Sequence, residues 1–218
     1  MVPNQQVAVI GGGIAGLATA WLLNKHHRVT LYEANDYVGG HTHTVDVTLD
    51  GITHPVDTGF LVCNDLTYPN LLALFETLGV ALHPSKMTFG VSVDQGRIEW
   101  AGHSLGGVFA QKRNLLRPAH WGMLRDILRF NHAAAAYLDE VAHRQTTLGE
   151  LLAQHRYGQA FCQHYLLPMA AAIWSSSPGD ILQFPAATFL RFCLNHHLLQ
   201  INDRPQWRTV RGGGRCYV

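Results

Sequence analysis

An α/β fold that opens on a strand–helix–strand unit and continues into a mainly helical block is what this sequence of 218 residues predicts. Three observations predict it. An all-apolar run (VAVI, 7–10) ends in a glycine-rich turn, a second run (RVTLY, 28–32) ends in an acid, and from residue 119 onward apolar residues recur at helical spacing. The length fits one large domain or two small ones, and 47% hydrophobic residues are enough to build a core. A formal net charge of +1 supplies no long-range field for nucleic acid or an anionic membrane, so nucleic-acid binding is discarded.

The run VAVI suits a parallel strand covered on both faces. Gly11, Gly13 and Gly16 follow at the spacing of a dinucleotide turn. In such a turn the first glycine permits the bend, the second lets a pyrophosphate approach the backbone, and the third lets helix and strand pack closely. Phosphate charge then meets free amides at a helix N-terminus, which makes Ile14 and Ala15 part of the candidate site. The helix continues through Leu17, Ala20, Trp21 and Leu23 and ends near His26. The second strand leads into Glu33 and Ala34, about 20 residues beyond the glycines, where a carboxylate accepts hydrogen bonds from ribose hydroxyls. An acid there favours a free 2′-hydroxyl, hence FAD or NAD over NADP.

Alternation in TVDVTLDGITHPVD, with Asp50 and Gly51 at the bend, predicts an antiparallel hairpin closed by Asp57, Thr58, Gly59 and Phe60. Pro69 starts a helix that reaches Leu78. MTFGVSVDQGRIEWAG predicts a second hairpin turning at Asp94, Gln95 and Gly96. A long helix covers 119–141, a shorter one begins at Thr146 or Thr147 with Glu150 in a capping box, and more helix follows through AFCQHYLLPMAAAIWSSS and AATFLRFCLNHHLL. This block reads first as a plain helical core and second as the wall of an apolar substrate pocket. After Pro205 a short strand precedes three glycines.

The stretch GGGIAGLATAWLLNKHHRVTLYEANDYVGGHTHT resembles the flavin-containing amine oxidase and phytoene desaturase superfamily. Within it, the sequence is similar to a bacterial FAD/NAD(P)-binding subgroup that reads GGHT and is related to the N-terminal region of plant cyclopropane fatty acid synthases. VDTGFLVCNDLTYPNLLALFETLGV, AAIWSSSP and VRGGGRCYV extend the resemblance over nearly the whole chain. It implies a Rossmann-like FAD/NAD(P)-binding domain of the glutathione-reductase type, interrupted by a mainly helical substrate domain. The implied boundaries are 1–85 for the first part of the FAD domain, 86–205 for the cap, and 206–218 for a truncated return. FAD is the implied cofactor. Gly40, His41 and Thr42 are expected at its phosphate or ribityl region, with His41 where the family usually carries arginine, and Thr58, Gly59 and Phe60 run close to the flavin ring. Family members continue for about as long again, so the C-terminal part is expected to be missing. The implied substrates are small molecules: an amine, a lipid or an isoprenoid.

The alternatives are specific. GHSLGG resembles a serine-hydrolase elbow, with Ser104 as nucleophile and Asp180 and His196 possible by order alone. Yet RIEWA before Ser104 carries charges at alternate positions, unlike a buried parallel strand, so Ser104 reads better as a cap. A cofactor-binding module, inactive without a C-terminal segment or partner, is a further reading, and a flavin-free nicotinamide enzyme another. His41 and His43 lack the neighbours a metal site needs. Four scattered cysteines point to reduced thiols in a cytoplasm. No transmembrane segment is expected, and peripheral membrane contact stays open.

Overall fold

The computed structural model describes residues 4–200 and 205–218. The chain forms two compact units, Met1–Lys86 with Pro205–Val218, and Met87–Arg204.

In the first unit, β1 (Gln6–Ile10) and β2 (Arg28–Tyr32) pair in parallel, Val7 opposite Val29 and Val9 opposite Leu31. A parallel pair needs a crossover, and α1 (Ile14–Leu23) supplies it. The predicted covering of β1 on both faces is not met: Ile10 is 78% exposed and Tyr32 56%. The reason is topological. Among the described residues this sheet has two strands, so α1 covers one face and no further layer covers the other. β3 (Thr44–Leu49) and β4 (Ile52–Asp57) form the predicted hairpin, Leu49 opposite Ile52. Its two-residue turn places Asp50 at φ +51° and Gly51 at φ +78°, the conformation that Asp-Gly tolerates best. After the short β5 (Cys63–Asn64), α2 (Pro69–Leu78) starts on its proline and stops at Gly79, φ +69°. β6 (Leu82–Ser85) follows.

The second unit begins with the hairpin β7 (Gly90–Val93) and β8 (Ile98–Ala101), turning at positive φ through Asp94, Gln95 and Gly96. Helices α3 (Leu105–Val108), α4 (Pro118–Val141), α5 (Leu148–Gln154), α6 (Gln159–Phe161), α7 (Leu167–Trp174), α8 (Pro178–Leu182) and α9 (Ala186–Asn195) complete it, with a 3₁₀ turn at Lys112–Leu116. The capping box forms at α5: Thr147 Oγ1 accepts the Glu150 N–H at 3.2 Å, and Glu150 Oε2 accepts the Thr147 N–H at 2.8 Å. Between α6 and α7 the helix widens to a π turn at Cys162–Leu166. Pro168 is the cause, because it has no N–H to donate to the His164 carbonyl four residues back. The Trp100 indole N–H occupies that carbonyl at 3.0 Å. One stripe of α4, including Met123, Phe130, Ala134 and Val141, packs in a core with Phe161 and Phe189, each of these six at most 1% exposed.

β9 (Trp207–Val210) returns to the first unit and inserts antiparallel between β5 and β6, Cys63 opposite Arg208 and Leu82 opposite Val210. Phe75, Cys63, Val210 and Tyr217 form the core beside this sheet.

Candidate cofactor site

The site starts where β1 stops. Gly11 leaves the strand at φ +97° while its N–H donates to the Tyr32 carbonyl at 2.7 Å. Gly13 is the N-cap of α1 and brings no side chain, so no side-chain oxygen occupies the first amides of the helix. Those amides, with the positive end of the helix dipole, are a ready anion site. Gly16 is dictated by packing: a Cβ there would lie 1.8 Å from the Gly11 carbonyl oxygen. Opposite, the Gly39 N–H donates to the Gly12 carbonyl at 2.7 Å, and Gly40 sits at φ +59° with its Cβ position 3.1 Å from the Gly13 Cα. Two glycine turns thus meet backbone to backbone.

Between them opens a cavity of about 500 Å³. Gly13, Ile14, Ala15, Gly39, Gly40, His41 and Thr42 form its backbone-rich side, and Phe60, Tyr68, Leu71 and Tyr217 its apolar side. Thr42 is 5% exposed, and its hydroxyl shares a 3.0 Å hydrogen bond with that of Tyr217. Burial pushes the Tyr217 phenol up from its ordinary pKa, as it does for Tyr68. The Phe60 N–H donates to the His41 carbonyl at 3.0 Å, and a Cβ on Gly59 would fall 1.9 Å from that same oxygen. Gly59 therefore sets how closely the 39–42 loop approaches the end of β4. His41 is the one side chain in the described wall able to carry positive charge.

Of the residues singled out in the sequence, Gly13, Ile14, Ala15, Gly40, His41, Thr42 and Phe60 come together on the cavity wall. Gly11, Gly16 and Gly59 shape it from behind. Thr58 turns aside, its Oγ1 2.8 Å from His43 Nδ1. Glu33 and Ala34 lie off the wall. Glu33 Oε2 accepts the Gly12 N–H at 2.5 Å, and Oε1 accepts the Ala34 and Asn35 N–H groups at 2.8 and 2.9 Å. The carboxylate is thus a clamp that ties the end of β2 to the glycine turn. The Asn35 amide first and the Gly12 amide second hold its pKa below the ordinary value. A depressed carboxylate stabilises the fold above its unfolded pKa and loses that contribution as pH falls through the lowered folded value. Glu33→Gln should accordingly lower the urea midpoint at pH 7, and the gap to the parent should close in acid; a gap constant with pH would contradict the clamp.

Tyr68, Leu71 and Tyr217 were not singled out as site residues. Leu71 carries the ordinary signature of a helix core face, and Tyr217 lies 175 residues from its partner Thr42, so local pattern gives neither away. Ser104 caps α3, its Oγ accepting the Gly107 N–H at 3.0 Å, after the antiparallel strand β8. Asp180 receives the Ser177 hydroxyl at 2.6 Å, and His196 stacks on Phe192 with ring centroids 4.2 Å apart. Among the described residues no three His, Cys, Asp or Glu side chains are placed to share a metal ion, and all four cysteines are free thiols. No described helix is long and apolar enough to cross a membrane.

Comparison with known proteins agrees with this geometry. Residues 9–78 match the family of NAD(P)-binding Rossmann-like domains. Zeta-carotene desaturase of Synechocystis sp. is 39% identical over 75 residues, 34% of this chain and 14% of that protein. A methylenetetrahydrofolate–tRNA-(uracil-5-)-methyltransferase of Syntrophus aciditrophicus is 62% identical over 34 residues, 15% of this chain and 8% of that one. Among solved structures, wild-type putrescine oxidase bound to putrescine superposes with a TM-score of 0.61 at 21% identity, covering 99% of this chain and 47% of its own. A CLA-producing fatty acid isomerase from P. acnes superposes with a TM-score of 0.52 at 14% identity, covering 99% and 48%. The chain thus spans about half the length of these solved structures and a smaller share of the curated relatives. Residues 9–78 thus match NAD(P)-binding Rossmann-like domains, within a chain whose fold is that of about half of putrescine oxidase.

Proposed function

We propose that the cavity between Gly13 and Gly40 holds the pyrophosphate and adjoining ribityl region of FAD, and that the chain acts within an FAD-dependent oxidoreductase of the amine oxidase and desaturase type. The observation that carries this reading is the uncapped N-terminus of α1 facing a second glycine turn, a cradle that any Cβ at Gly16 or Gly59 would collapse. Bound there, FAD supplies hydride transfer with a small-molecule substrate, an amine or an unsaturated lipid or isoprenoid. Putrescine oxidase supports the first class; zeta-carotene desaturase and the fatty acid isomerase support the second. The Ile14 and Ala15 amides bind phosphate oxygens, His41 adds a donor, and the bonded Thr42–Tyr217 pair with Phe60 keeps water from one side. Four free thiols fit a reducing, cytoplasmic setting. Coverage of about half of the solved relatives, with Ile10 78% exposed, favours a module that binds cofactor but turns over only when joined to further chain.

Titrating FAD into the purified chain should quench flavin fluorescence saturably at one equivalent, and FAD rather than NAD should be released on denaturation. A chain that takes up no FAD, or releases only NAD, overturns the reading.

A further inference from the structure

We propose that the face formed by α3, the 3₁₀ turn at Lys112–Leu116 and the outer side of α4 docks on anionic phospholipid membranes. The chain as a whole is nearly neutral, but its charge is unevenly spread. Residues 102–132 contain five of the chain's 16 Lys and Arg and one of its 15 Asp and Glu. That one acid, Asp126, is 3% exposed and lies 3.7 and 3.3 Å from the Arg125 and Arg129 guanidinium groups, so five cations against one acid leave the stretch net cationic. The same stretch presents the two most exposed large apolar side chains described, Leu116 at 88% and Leu105 at 81%.

These groups share one face. The Phe109 N–H closes a turn on the Leu105 carbonyl at 3.1 Å, the Phe109 ring stands 5.3 Å from Trp121, and the Trp121 indole N–H donates to the Leu115 carbonyl at 2.9 Å. Along α4, Trp121, Arg125 and Leu128 recur at helical spacing opposite the buried stripe of Met123, Phe130 and Ala134. Trp121 and Leu128 are 50% and 56% exposed, and the Arg125 side chain 80%.

The composition selects the partner. Projecting leucines, a half-exposed tryptophan and interleaved cations supply both signals that reversible membrane binding needs, apolar insertion and attraction to anionic headgroups. Tryptophan, with its N–H already satisfied, suits the boundary between headgroups and chains. A protein-facing patch would gather its apolar groups at a centre depleted of lysine. Here exposed Lys112 lies between Leu105 and Leu116 along the chain. The inference does not rest on FAD binding.

The test is co-sedimentation of the purified chain with vesicles of phosphatidylcholine alone or with added phosphatidylglycerol, at low and high salt. Binding is expected to the anionic vesicles only and to be released by salt. Lys112→Glu with Arg125→Glu should weaken it at least about tenfold, since each lost cation accounts for roughly fivefold. Leu105→Glu with Leu116→Glu should abolish it, whereas Lys86→Glu, in the other unit, should bind like the parent. All of these side chains are exposed, and a matching thermal melt confirms the fold. Equal sedimentation with both vesicle types, or retention by both double variants, overturns the proposal. So does a concentration-dependent dimer that Leu116→Glu dissociates, which would make the face a protein interface. The lipid and salt dependence of the unaltered chain decides the matter even if a variant misfolds.

Discussion

Gly16→Ala should destabilise the chain and weaken FAD binding, although alanine is the better helix former. The helix term alone would favour the substitution by about 1 kcal/mol. Against it stands a Cβ placed 1.8 Å from the Gly11 carbonyl oxygen, a backbone atom that cannot swing aside like the end of a long side chain. The Gly11 N–H is also committed to Tyr32 at 2.7 Å, so moving the turn pulls on the β1–β2 pairing. Overpacking of this kind costs roughly 1–3 kcal/mol, and the clash lies at its upper end, so destabilisation of about 1–2 kcal/mol should remain. Since α1 must move away from the turn that aims its amides, FAD affinity should fall about tenfold or more, roughly 1.4 kcal/mol. Gly122→Ala is the matched control, because the added Cβ meets nothing within 4 Å inside α4. It should gain about 0.5–1 kcal/mol. Urea midpoints and FAD titrations of both variants decide the point; equal behaviour of the pair would remove the packing argument for Gly16.

That contrast also marks what the sequence could and could not disclose. Spacing alone identified Gly16, because the strand, turn and helix around it are contiguous. The same holds for Asp50-Gly51, for the positive-φ run through Gly96, for Pro69 opening α2 and for the Thr147–Glu150 box, each of which acts within four residues. The three-stranded sheet is not legible in local pattern because β5 and β9 pair Cys63 with Arg208, 145 residues apart, and β6 contains a proline. The exposure of Ile10 and Tyr32 escaped it too, since apolar runs imply cover without saying which segment provides it. At the cavity, Gly13 was legible from the spacing of the first turn and Gly40, His41 and Thr42 through the family resemblance, while Tyr217 depended on a fold that brings it back to Thr42. Glu33 stood out in the sequence as a candidate ribose-binding acid, whereas its backbone partners at Gly12, Ala34 and Asn35 are visible only in three dimensions.

Phe130→Ala should be the most damaging substitution in the helical unit. The ring is 0% exposed, and its centroid lies 5.5 Å from both Tyr157 and Phe161 and 6.2 Å from Tyr137. Those neighbours have little freedom to collapse into the gap. The Tyr137 and Tyr157 hydroxyls are bonded at 3.0 Å, and the Arg129 guanidinium rests 3.9 Å above the Tyr157 ring. A cavity that cannot close keeps the full cost of a buried phenylalanine truncation, about 3–5 kcal/mol. Set against a total stability on the order of 5–15 kcal/mol, that is enough to leave the unit marginal. Leu128→Ala, two residues away but 56% exposed, should change stability by less than about 0.5 kcal/mol. The wall of the candidate cofactor cavity lies wholly within Met1–Lys86 and Pro205–Val218, so FAD titration at low temperature should still find the site in Phe130→Ala. Denaturation followed by near-ultraviolet circular dichroism and by flavin fluorescence should then give separate transitions, with only the first displaced. A loss below about 1 kcal/mol would mean that Tyr157 and Phe161 do repack, and that the aromatic cluster is held less firmly than its hydrogen bond and cation contact imply.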